Sequence, residues 1–469
     1  MKKYSAIKAD DLAYMEKVCG TAYVIHSRDA MEKYGSDETE DLNFMPELVV
    51  KPSETAQIAA ILKYCNERGI PVTPRGGGTG LSGGALPVFG GIVLSMERFH
   101  RILHIDEQNQ QAVVEPGVIT QVLQEACMEK SLYYPPDPSS RGSCFIGGNL
   151  AENAGGPRAV KYGVTKDFVL GLEAVLPSGE IIQTGAHTLK NSTGYNLTQL
   201  LIGSEGTLAV ITKIILKLLP YPRQQLTMLV PFSSESKACE AVSAVFRAGV
   251  TPSAMEFMER SAIDWTLRYK PEISLQVPDE VKAHLLIECD GHDAEAVMRE
   301  CETVAEVMER FGCGEILFAQ TASEKDSLWK LRRSVAESVK SNSIYKEEDT
   351  VVPRYKLPQL LAGVKEIGSR YGFQSVCYGH AGDGNLHVNI IRGELSETFW
   401  NTELPKAIRE IFSLCVELGG TLSGEHGIGW VQKNYMDIAF SESELRVQKG
   451  IKQVFDPNGI LNPGKIFPD

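Results

Sequence analysis

The sequence predicts an α+β fold that is divided into more than one domain. The chain has 469 residues, which is more than a single hydrophobic core usually serves, so two or three domains are expected. Short apolar runs alternate with segments in which apolar residues recur at helical spacing. This pattern breaks at Pro220, Tyr221 and Pro222, where we predict a domain boundary.

The elements of the first half follow from their local patterns. Residues 1–45 are typical of polar helical turns that lead into a domain. Thr55–Arg68 carries apolar residues at helical spacing and predicts a helix. Short apolar or β-branched runs predict strands at residues 48–50, 70–72, 91–95, 111–115, 181–184 and 207–219.

The second half, residues 223–420, has its own mixture of strands and helices. Apolar runs predict strands at residues 225–230, 283–288 and 314–319, and amphipathic patterns predict helices at 236–248 and 293–310. A mixed domain of this kind would cap the first one. The tail, residues 452–469, is rich in Pro, Gly and Asn.

Composition and charge exclude some classes of protein. The formal net charge of −13 argues against a nucleic-acid binder. The N-terminus lacks the apolar core of a signal peptide, and charged residues interrupt the most apolar stretch, residues 197–221, so we predict no integral membrane segment. The ten cysteines lie at least 12 residues apart, without any C-x-x-C spacing, which predicts reduced thiols in a cytoplasmic protein. Redox chemistry would therefore need a bound organic cofactor and an external electron acceptor.

The glycine-rich stretch at residues 74–84 is the strongest signal in the first half. Consecutive glycines let successive backbone N–H groups converge on one anion, and Arg75 adds a charge that suits a diphosphate. The stretch contains the pattern G-x-G-x-x-G at Gly78–Gly83, which requires a helix directly after it. Residues 85–91 contain a proline and two glycines and do not predict that helix. The pattern therefore disfavours a NAD-binding Rossmann domain.

Three further glycine-lined segments lie in the same predicted domain, at residues 147–149, 153–156 and 203–208. Together with residues 74–84 they resemble the FAD-binding domain of the vanillyl-alcohol oxidase superfamily, also named after p-cresol methylhydroxylase (PCMH). More narrowly, the chain is similar to the branch of D-lactate dehydrogenases, the catalytic D subunit of glycolate oxidase and D-2-hydroxyglutarate dehydrogenase. The similarity runs from residue 45 to the C-terminus.

The resemblance implies the domain layout. We expect a helical lead at residues 1–45 and a PCMH-type two-subdomain FAD-binding domain at 46–220. An α+β substrate-binding cap domain would follow at 221–422, and a C-terminal segment at 423–469 would return to the flavin.

The resemblance also implies how FAD is held. The residues expected to contact FAD are Pro74, Arg75, Gly76, Gly77, Gly78, Thr79, Gly80, Ser82, Pro138, Cys144, Gly147, Gly148, Asn149, Asn153, Ala154, Gly155, Gly206, Ile211 and Asn462. Some relatives bond FAD covalently through a histidine in or near the first glycine loop. No histidine lies between Ser27 and Phe99, so we expect non-covalent FAD, unless His100 or His104 reaches it.

Two histidines seven residues apart, His380 and His387, flank the turn sequence Ala-Gly-Asp-Gly. A bend there could bring both imidazoles to one divalent cation, and a carboxylate would complete an open three-ligand site. Glu425 and His426 lie in the glycine-rich sequence Ser-Gly-Glu-His-Gly-Ile-Gly. The resemblance assigns His380, His387 and Glu425 as ligands of a divalent metal (Zn, Mn or Fe) and His426 as the catalytic base.

The implied reaction is the FAD-dependent, metal-assisted oxidation of a small D-2-hydroxy acid to the 2-oxo acid, with the C2 hydride passing to flavin N5. His426 would take the hydroxyl proton of the chelated substrate. Arg332, in the family's W-x-x-R pattern on a predicted helix, would bind the substrate carboxylate. Asn385 would hydrogen-bond the substrate or orient a ligand.

The residues before Pro353 bear on the length of the substrate. The 2-hydroxyglutarate branch places a lysine there for the distal carboxylate, whereas this chain has Glu347 at that position and Lys346 one residue away. Acidic residues would repel a second carboxylate, so D-lactate or glycolate is favoured over D-2-hydroxyglutarate. The alternatives are a non-catalytic FAD-binding subunit of a larger oxidase complex and a NAD-dependent dehydrogenase.

The electron acceptor is open at this point. An electron-transferring flavoprotein, an iron–sulfur subunit, a cytochrome or a quinone would each serve. Such a partner could hold the cytoplasmic enzyme at the periphery of a membrane.

Overall fold

The computed structural model describes residues 4–468, which form two compact units. Unit 1 takes the described residues of Met1–Ala154, Val164–Tyr221 and Glu425–Asp469. Unit 2 takes Gly155–Gly163 and Pro222–Gly424. Each unit combines helices with sheets, which confirms the α+β prediction.

The strands are short in unit 1 and longer in unit 2. Those of unit 1 are β1 (Val24–Ile25), β2 (Leu48–Val50), β3 (Val72–Arg75), β4 (Ile92–Ser95), β5 (Ile102–Asp106), β6 (Gln111–Val114), β7 (Leu132–Tyr133), β8 (Val169–Val175), β9 (Ile181–Gly185), β10 (Val210–Lys217) and β11 (Leu219–Pro220). Those of unit 2 are β12 (Gln224–Phe232), β13 (Ala254–Glu259), β14 (Ala283–Gly291), β15 (Leu317–Phe318), β16 (Tyr345–Val351), β17 (Gln374–Gly379) and β18 (Asn385–Ile391).

Helices connect most of these strands. The α-helices are α1 (Ala9–Cys19), α2 (Arg28–Met31), α3 (Thr55–Arg68), α4 (Thr120–Met128), α5 (Ile146–Glu152), α6 (Ala159–Tyr162), α7 (Leu197–Leu201), α8 (Glu235–Arg247), α9 (Arg260–Tyr269), α10 (Ala294–Arg310), α11 (Ala322–Arg333), α12 (Val335–Asn342), α13 (Leu357–Tyr371), α14 (Glu397–Thr402), α15 (Leu404–Glu417), α16 (Met436–Ala439) and α17 (Glu442–Phe455). Short 3₁₀ helices cover Thr21–Tyr23, Glu32–Tyr34, Thr165–Phe168, Arg354–Lys356, Ala381–Asp383 and Lys433–Tyr435. Within residues 4–468, no helix combines the length and apolar character needed to cross a membrane.

The described part of unit 1 contains a four-stranded sheet in the order β1-β2-β4-β3 and a five-stranded antiparallel sheet in the order β5-β6-β10-β8-β9. β2, β4 and β3 run parallel, with α3 as the crossover between β2 and β3. The apolar side of α3 is fully buried against β2 and β4. The helix ends at Gly69, whose φ of +67° only glycine adopts readily. β7 and β11 form a separate pair.

Residues near both ends of the described part of the chain belong to the core of unit 1. Met15 and Cys19 of α1 are buried in the same cluster as α3, and residues 4–45 lie in unit 1. At the other end, Leu461 bridges to Val72 in parallel, and Asn462 N donates to Val72 O at 2.8 Å.

Unit 2 is built on a seven-stranded sheet in the order β15-β12-β14-β13-β17-β18-β16, with antiparallel neighbours throughout its described strands. One face packs on α9, α11 and α12, whose buried residues form a common core with it. Because side chains alternate along a strand, the pairing register defines what that face carries. Glu288, Glu256, Tyr378, His387 and Asp349 follow one another across it on β14, β13, β17, β18 and β16.

Most predicted elements match, and the exceptions have local causes. The strand predicted at residues 70–72 begins instead at Val72, because Ile70 N donates to Cys65 O at the end of α3 and Pro71 has no N–H. The strand predicted at residues 314–319 is reduced to β15. Gly155–Gly163, which falls inside the predicted FAD-binding domain, belongs to unit 2.

Candidate active site

The first glycine loop of unit 1 lies against a second predicted segment. A Cβ built on Gly77 would lie 2.6 Å from Ser143 O, so a larger residue would displace the backbone there. A Cβ on Gly76 would be 3.7 Å from the backbone nitrogen of Gly148. At Gly80 and Gly148, no atom of the described residues comes within 4 Å of such a Cβ. The structure thus brings two sequence-predicted glycine segments together and leaves open backbone between them.

Other residues expected to contact FAD shape this surface from within unit 1. Asn149 Nδ2 donates to Thr120 Oγ1 at 2.7 Å, and Cys144 Sγ lies 3.2 Å from the same hydroxyl. Asn153 adopts a left-handed conformation that turns the chain after α5. Asn462 Nδ2 donates to Gly84 O and to Glu205 O, at 2.9 and 2.7 Å.

The remaining predicted FAD contacts also have defined places. A Cβ on Gly206 would lie 3.4 Å from Pro74 Cγ, Ser82 is buried, and Ile211 pairs with Ala174 on β10. Thr79, Pro138, Gly147 and Ala154 lie in unit 1, whereas Gly155 begins the segment of unit 2.

The buried side chain of Arg75 packs directly beneath the glycine loop. The guanidinium is buried, and Nη2 donates to Lys33 O at 3.2 Å. A Cβ on Gly78 would lie 2.2 Å from that Nη2, so the loop folds directly over the side chain. Burial lowers the pKa of Arg75, and the nearby Asp37 opposes this effect. Its contact with a diphosphate stays a prediction.

The turn that carries Glu425 and His426 is fixed by a buried carboxylate of unit 1. Glu205 accepts hydrogen bonds from Ile428 N at 2.8 Å and from Gly429 N at 2.7 Å. His426 Nε2 lies 4.0 Å from Glu425 Oε1, and both side chains are half-buried. The turn requires its glycines, because a Cβ on Gly429 would lie 2.1 Å from Ser82 O.

A second buried acid accompanies Glu205. A Cβ on Gly427 would lie 2.1 Å from Glu152 Oε2 and 3.1 Å from Glu205 Oε1, so both carboxyl groups face the same turn. Burial raises the pKa of Glu205 to about 7, although the N–H groups of Ile428 and Gly429 oppose the rise. Burial and the charge of Glu205 raise the pKa of Glu152 well above its usual range. The charge of Lys465 opposes both rises in pKa.

In unit 2, a tight turn brings His380 and His387 together. His380 follows β17, a 3₁₀ turn covers Ala381–Asp383, and Gly384, with φ +76°, returns the chain to β18. A Cβ on Gly384 would lie 2.0 Å from Val352 O, so this position also requires glycine. Both imidazoles are buried, and their ring centroids are 5.4 Å apart.

Each of these imidazoles faces a carboxylate through Nδ1. His380 Nδ1 lies 2.9 Å from both oxygens of Glu256. His387 Nδ1 lies 3.2 Å from Glu347 Oε1 and 3.8 Å from Asp349 Oδ1. The carboxylate of Glu256 accepts the Nδ1 proton of His380, which makes Nε2 of His380 the nitrogen with the lone pair. Two such imidazoles suit a divalent transition metal.

Asn385 and Arg332 lie in the same unit. Asn385 Nδ2 donates to Asp349 Oδ1 at 2.7 Å and to Thr350 O at 2.9 Å. Its buried Oδ1 has no hydrogen-bond donor among the described residues. Arg332 is buried over the ring of Tyr378, and its Nη2 lies 2.7 Å from Glu256 Oε2. The buried Nε of Arg332 has no acceptor within residues 4–468, as expected of a guanidinium that receives an anion.

Two buried carboxylates of the sheet, Glu256 and Glu288, pair with cationic side chains of unit 2. Burial raises the pKa of Glu256, but His380 and Arg332 outweigh it and hold that pKa below its usual range. Glu288 pairs with Arg158 and accepts from Trp329 Nε1 and Thr227 Oγ1, each at 2.9 Å. Burial alone would raise the pKa of Glu288, yet Arg158 and Lys325 lower it to about 2.

Sequence reasoning missed Glu256, Glu288 and Asp349. Glu256 and Glu288 had a readable signal, since each is an acidic residue inside an otherwise apolar strand, in Ala-Met-Glu-Phe-Met and Leu-Leu-Ile-Glu-Cys. A buried carboxylate requires a partner, so such a residue indicates a paired cation or histidine.

Comparison with known proteins identifies the family of this chain. Residues 46–185 match the family described as FAD binding domain, and residues 221–466 match FAD linked oxidases, C-terminal domain. The chain is 39% identical to glycolate oxidase subunit GlcD of Bacillus subtilis over 437 residues, which cover 92% of each chain. It is 40% identical to D-lactate dehydrogenase of Archaeoglobus fulgidus over 442 residues, which cover 93% of this chain and 95% of the relative.

Solved structures share the fold at much lower identity. The structure of p-cresol methylhydroxylase with substrate bound aligns with a TM-score of 0.80 at 18% identity, over 98% of this chain and 96% of that one. The PCMH-type fold that the glycine segments indicated is therefore confirmed. The chain belongs to the FAD-linked oxidases, in the branch that contains glycolate oxidase subunits and D-lactate dehydrogenases.

Proposed function

We propose that this protein oxidises a small D-2-hydroxy monocarboxylic acid, D-lactate or glycolate, to the 2-oxo acid, with non-covalent FAD and a divalent metal ion. The observation that carries the proposal is the pair of buried imidazoles, His380 and His387, each with a carboxylate at Nδ1. Two buried histidines whose ring centroids are 5.4 Å apart, and whose Nε2 atoms are available as ligands, are typical of a metal centre.

Glu425 is proposed as the third protein ligand. The two residues before it are hydrogen-bonded to Asp349 on β16, the strand that pairs with the His387 strand β18. Ser423 Oγ donates to Asp349 Oδ2 at 2.7 Å, and Gly424 N donates to Asp349 O at 3.2 Å. Three protein ligands leave coordination positions for a substrate. When bound, the metal would polarise the substrate hydroxyl, and FAD would accept the hydride from C2.

The chain's own side chains would do the rest of the chemistry. His426, next to Glu425, would take the hydroxyl proton, and Arg332 would receive the substrate carboxylate in its planar fork. Asn385 is proposed to act on the substrate through its buried Oδ1, while its amide nitrogen is held by Asp349.

The position of Glu347 supports a monocarboxylate. Glu347 and Asp349 alternate on the face of β16 that carries His387 across the strand pair, and Glu347 Oε1 is 3.2 Å from the imidazole. Lys346 lies on the opposite face, with Nζ 5.6 Å from the ring of Trp400. A second substrate carboxylate near the histidines would therefore meet negative charge and no lysine at this strand.

An external electron acceptor is part of the proposal. The Bacillus subtilis relative is named as a subunit, so we propose a protein partner, either an electron-transferring flavoprotein or an iron–sulfur subunit. A cytochrome or a quinone is the alternative. A cytoplasmic location, peripheral to a membrane where the partner requires it, is proposed with this acceptor.

An assay of dye reduction across D- and L-2-hydroxy acids tests the proposal. We expect turnover with D-lactate or glycolate, a stoichiometric metal in the purified protein, and loss of turnover after a chelator while FAD stays bound. Far better kcat/KM with D-2-hydroxyglutarate would reassign the substrate. No turnover with any acid, despite bound FAD and metal, would favour a non-catalytic subunit.

A metal-ligand variant separates catalysis from fold. His380→Ala and His387→Ala should each remove metal and activity while FAD content stays at the wild-type value, because both residues lie in unit 2 and the glycine loops lie in unit 1. His284→Ala is the matched control, since His284 is also buried in the sheet of unit 2. Joint loss of flavin and fold would make the two histidines structural.

A further inference from the structure

Glu256 occupies an unusual place at the centre of the sheet of unit 2. It lies on β13 between β14 and β17, and its side chain is 0% exposed. Its neighbours on the same face of the strand, Ala254 and Met258, are buried apolar residues. An ionised carboxylate in such surroundings is strongly destabilising unless it is paired and hydrogen-bonded. Hydrophobic burial therefore does not explain its presence.

Two groups contact that carboxylate, and they belong to two different parts of the proposed site. His380 Nδ1 lies 2.9 Å from Oε1 and from Oε2 of Glu256. Arg332 Nη2, from helix α11, lies 2.7 Å from Oε2. One carboxylate thus contacts the proposed metal ligand and the proposed receptor of the substrate carboxylate.

We propose that Glu256 is a positioning residue that sets metal affinity and substrate-carboxylate binding together. This inference rests on the proposed function of His380 and Arg332. Glu256 accepts the Nδ1 proton of His380 and so directs the lone pair of Nε2 to the metal. It also fixes the buried guanidinium of Arg332 over Tyr378, and the unpartnered Nε in the described structure remains as a donor for the substrate.

The strand itself offers a matched control. Glu259 lies on β13 three residues later, so its side chain points to the opposite face of the sheet. It too is buried, and its Oε2 lies 2.7 Å from Lys365 Nζ. Glu256→Gln and Glu259→Gln make the same substitution in the same strand and each weaken a buried ion pair. Only Glu256 contacts the proposed site.

The test measures metal binding and kinetics separately. Chelator-treated holoenzyme, with FAD bound, is titrated with Mn²⁺, and free Mn²⁺ is followed by electron paramagnetic resonance. We expect Glu256→Gln to raise the Kd for Mn²⁺ by roughly 10- to 100-fold, the usual effect of removing a carboxylate behind a metal-bound histidine. At saturating Mn²⁺, KM for D-lactate should rise about tenfold or more, with a smaller change in kcat, because Arg332 loses its fixed orientation.

The control and the conservative variant separate positioning from fold. Glu259→Gln should bind Mn²⁺ and substrate like the wild type. Glu256→Asp keeps the charge and should fall between the wild type and Glu256→Gln. It is also the variant to measure if Glu256→Gln fails to retain FAD and native circular dichroism.

Two outcomes overturn different statements. A wild-type protein that binds no Mn²⁺ contradicts the proposed metal site and this inference with it. A wild type that binds Mn²⁺, beside Glu256→Gln or Glu256→Asp with unchanged Kd and KM, contradicts the positioning role alone. Equal losses in Glu256→Gln and Glu259→Gln would make Glu256 a structural ion pair.

Discussion

The histidines of this chain differ in what surrounds each imidazole. His380 and His387 are buried beside carboxylates. His284 is buried too, but burial and then Arg260 lower its pKa to about 4, so it is neutral at physiological pH. His426 is half-buried beside Glu425 on a glycine turn. These surroundings distinguish the two proposed metal ligands from the structural His284 and from His426, the proposed base.

Replacement of His426 tests the proposed base. His426→Ala should keep metal and FAD but lower kcat by roughly 10²–10⁴-fold, the usual contribution of a positioned base. The backbone of the turn should persist, because Glu205 holds it through Ile428 N and Gly429 N. The measurement is kcat at saturating D-lactate, with metal and flavin determined on the same samples. Near-normal turnover at full metal and flavin would remove His426 from the mechanism.

Replacement of Glu347 tests substrate length. Glu347→Gln removes a negative charge from the face that carries His387 while keeping the size of the side chain. We expect the ratio of kcat/KM for D-2-hydroxyglutarate to that for D-lactate to rise about tenfold, because a distal carboxylate no longer meets a like charge. Lys346→Met, on the opposite face of β16, is the control and should leave the ratio unchanged. An unchanged ratio in Glu347→Gln would remove this strand from substrate selection.

At the scale of elements, helix α11 is attached to the sheet by charge as well as by apolar packing. Lys325, Trp329 and Arg332 are spaced by four and three residues, so they share one face of the helix. Glu288 contacts the first two, with Lys325 Nζ at 3.3 Å and Trp329 Nε1 at 2.9 Å, and Glu256 contacts the third. The position of Arg332 therefore depends on two buried acids from adjacent strands.

The acid Glu288 should make the stability of unit 2 depend on pH. Its folded pKa of about 2 lies below the ordinary 4.5, so its stabilisation is complete above pH 4.5 and is lost as pH falls from 4.5 to 2. Glu288→Gln should lower the free energy of unfolding by ~3 kcal/mol at pH 7 and by much less near pH 2. Denaturant unfolding between these pH values, followed by tryptophan fluorescence, measures this difference. Glu302→Gln, on the exposed side of α10, is the control, and a pH-independent difference would contradict the assignment.

The same scale explains what the sequence could predict. Periodicity predicted α3, α8 and α10 because each helix buries one apolar face, and apolar runs predicted β2 and β12, in which consecutive residues are buried. The glycine turn between His380 and His387 was predictable, because the turn and its two flanking strands are consecutive in the sequence. The partners of Glu256 and Glu288 were not predictable, because Arg332 and Arg158 lie 76 and 130 residues away along the chain.

At the scale of the whole molecule, the chain passes between the two units several times. Residues 155–163 leave unit 1 and join unit 2, where Arg158 pairs with Glu288 and Lys161 Nζ lies 2.6 Å from Asp290 Oδ1. The chain returns to unit 1 at Glu425, the proposed third metal ligand. The two units are thus interleaved along the sequence, and no single cut of the chain separates them.

The way in which FAD is held gives the last prediction. The segments expected to contact FAD offer backbone and small side chains, and no histidine lies between Ser27 and Phe99. The two nearest candidates for a covalent bond are exposed, and His100 Nδ1 lies 3.2 Å from Glu97 O, while His104 lies on the outer strand β5. Acid or heat should therefore release all of the flavin into the supernatant without proteolysis, measured by absorbance at the flavin band. His100→Ala and His104→Ala should keep the wild-type flavin content, because neither imidazole is needed to hold it. Yellow colour that stays with the precipitated protein, and disappears from the precipitate in one of these variants, would instead identify a covalent attachment at that histidine.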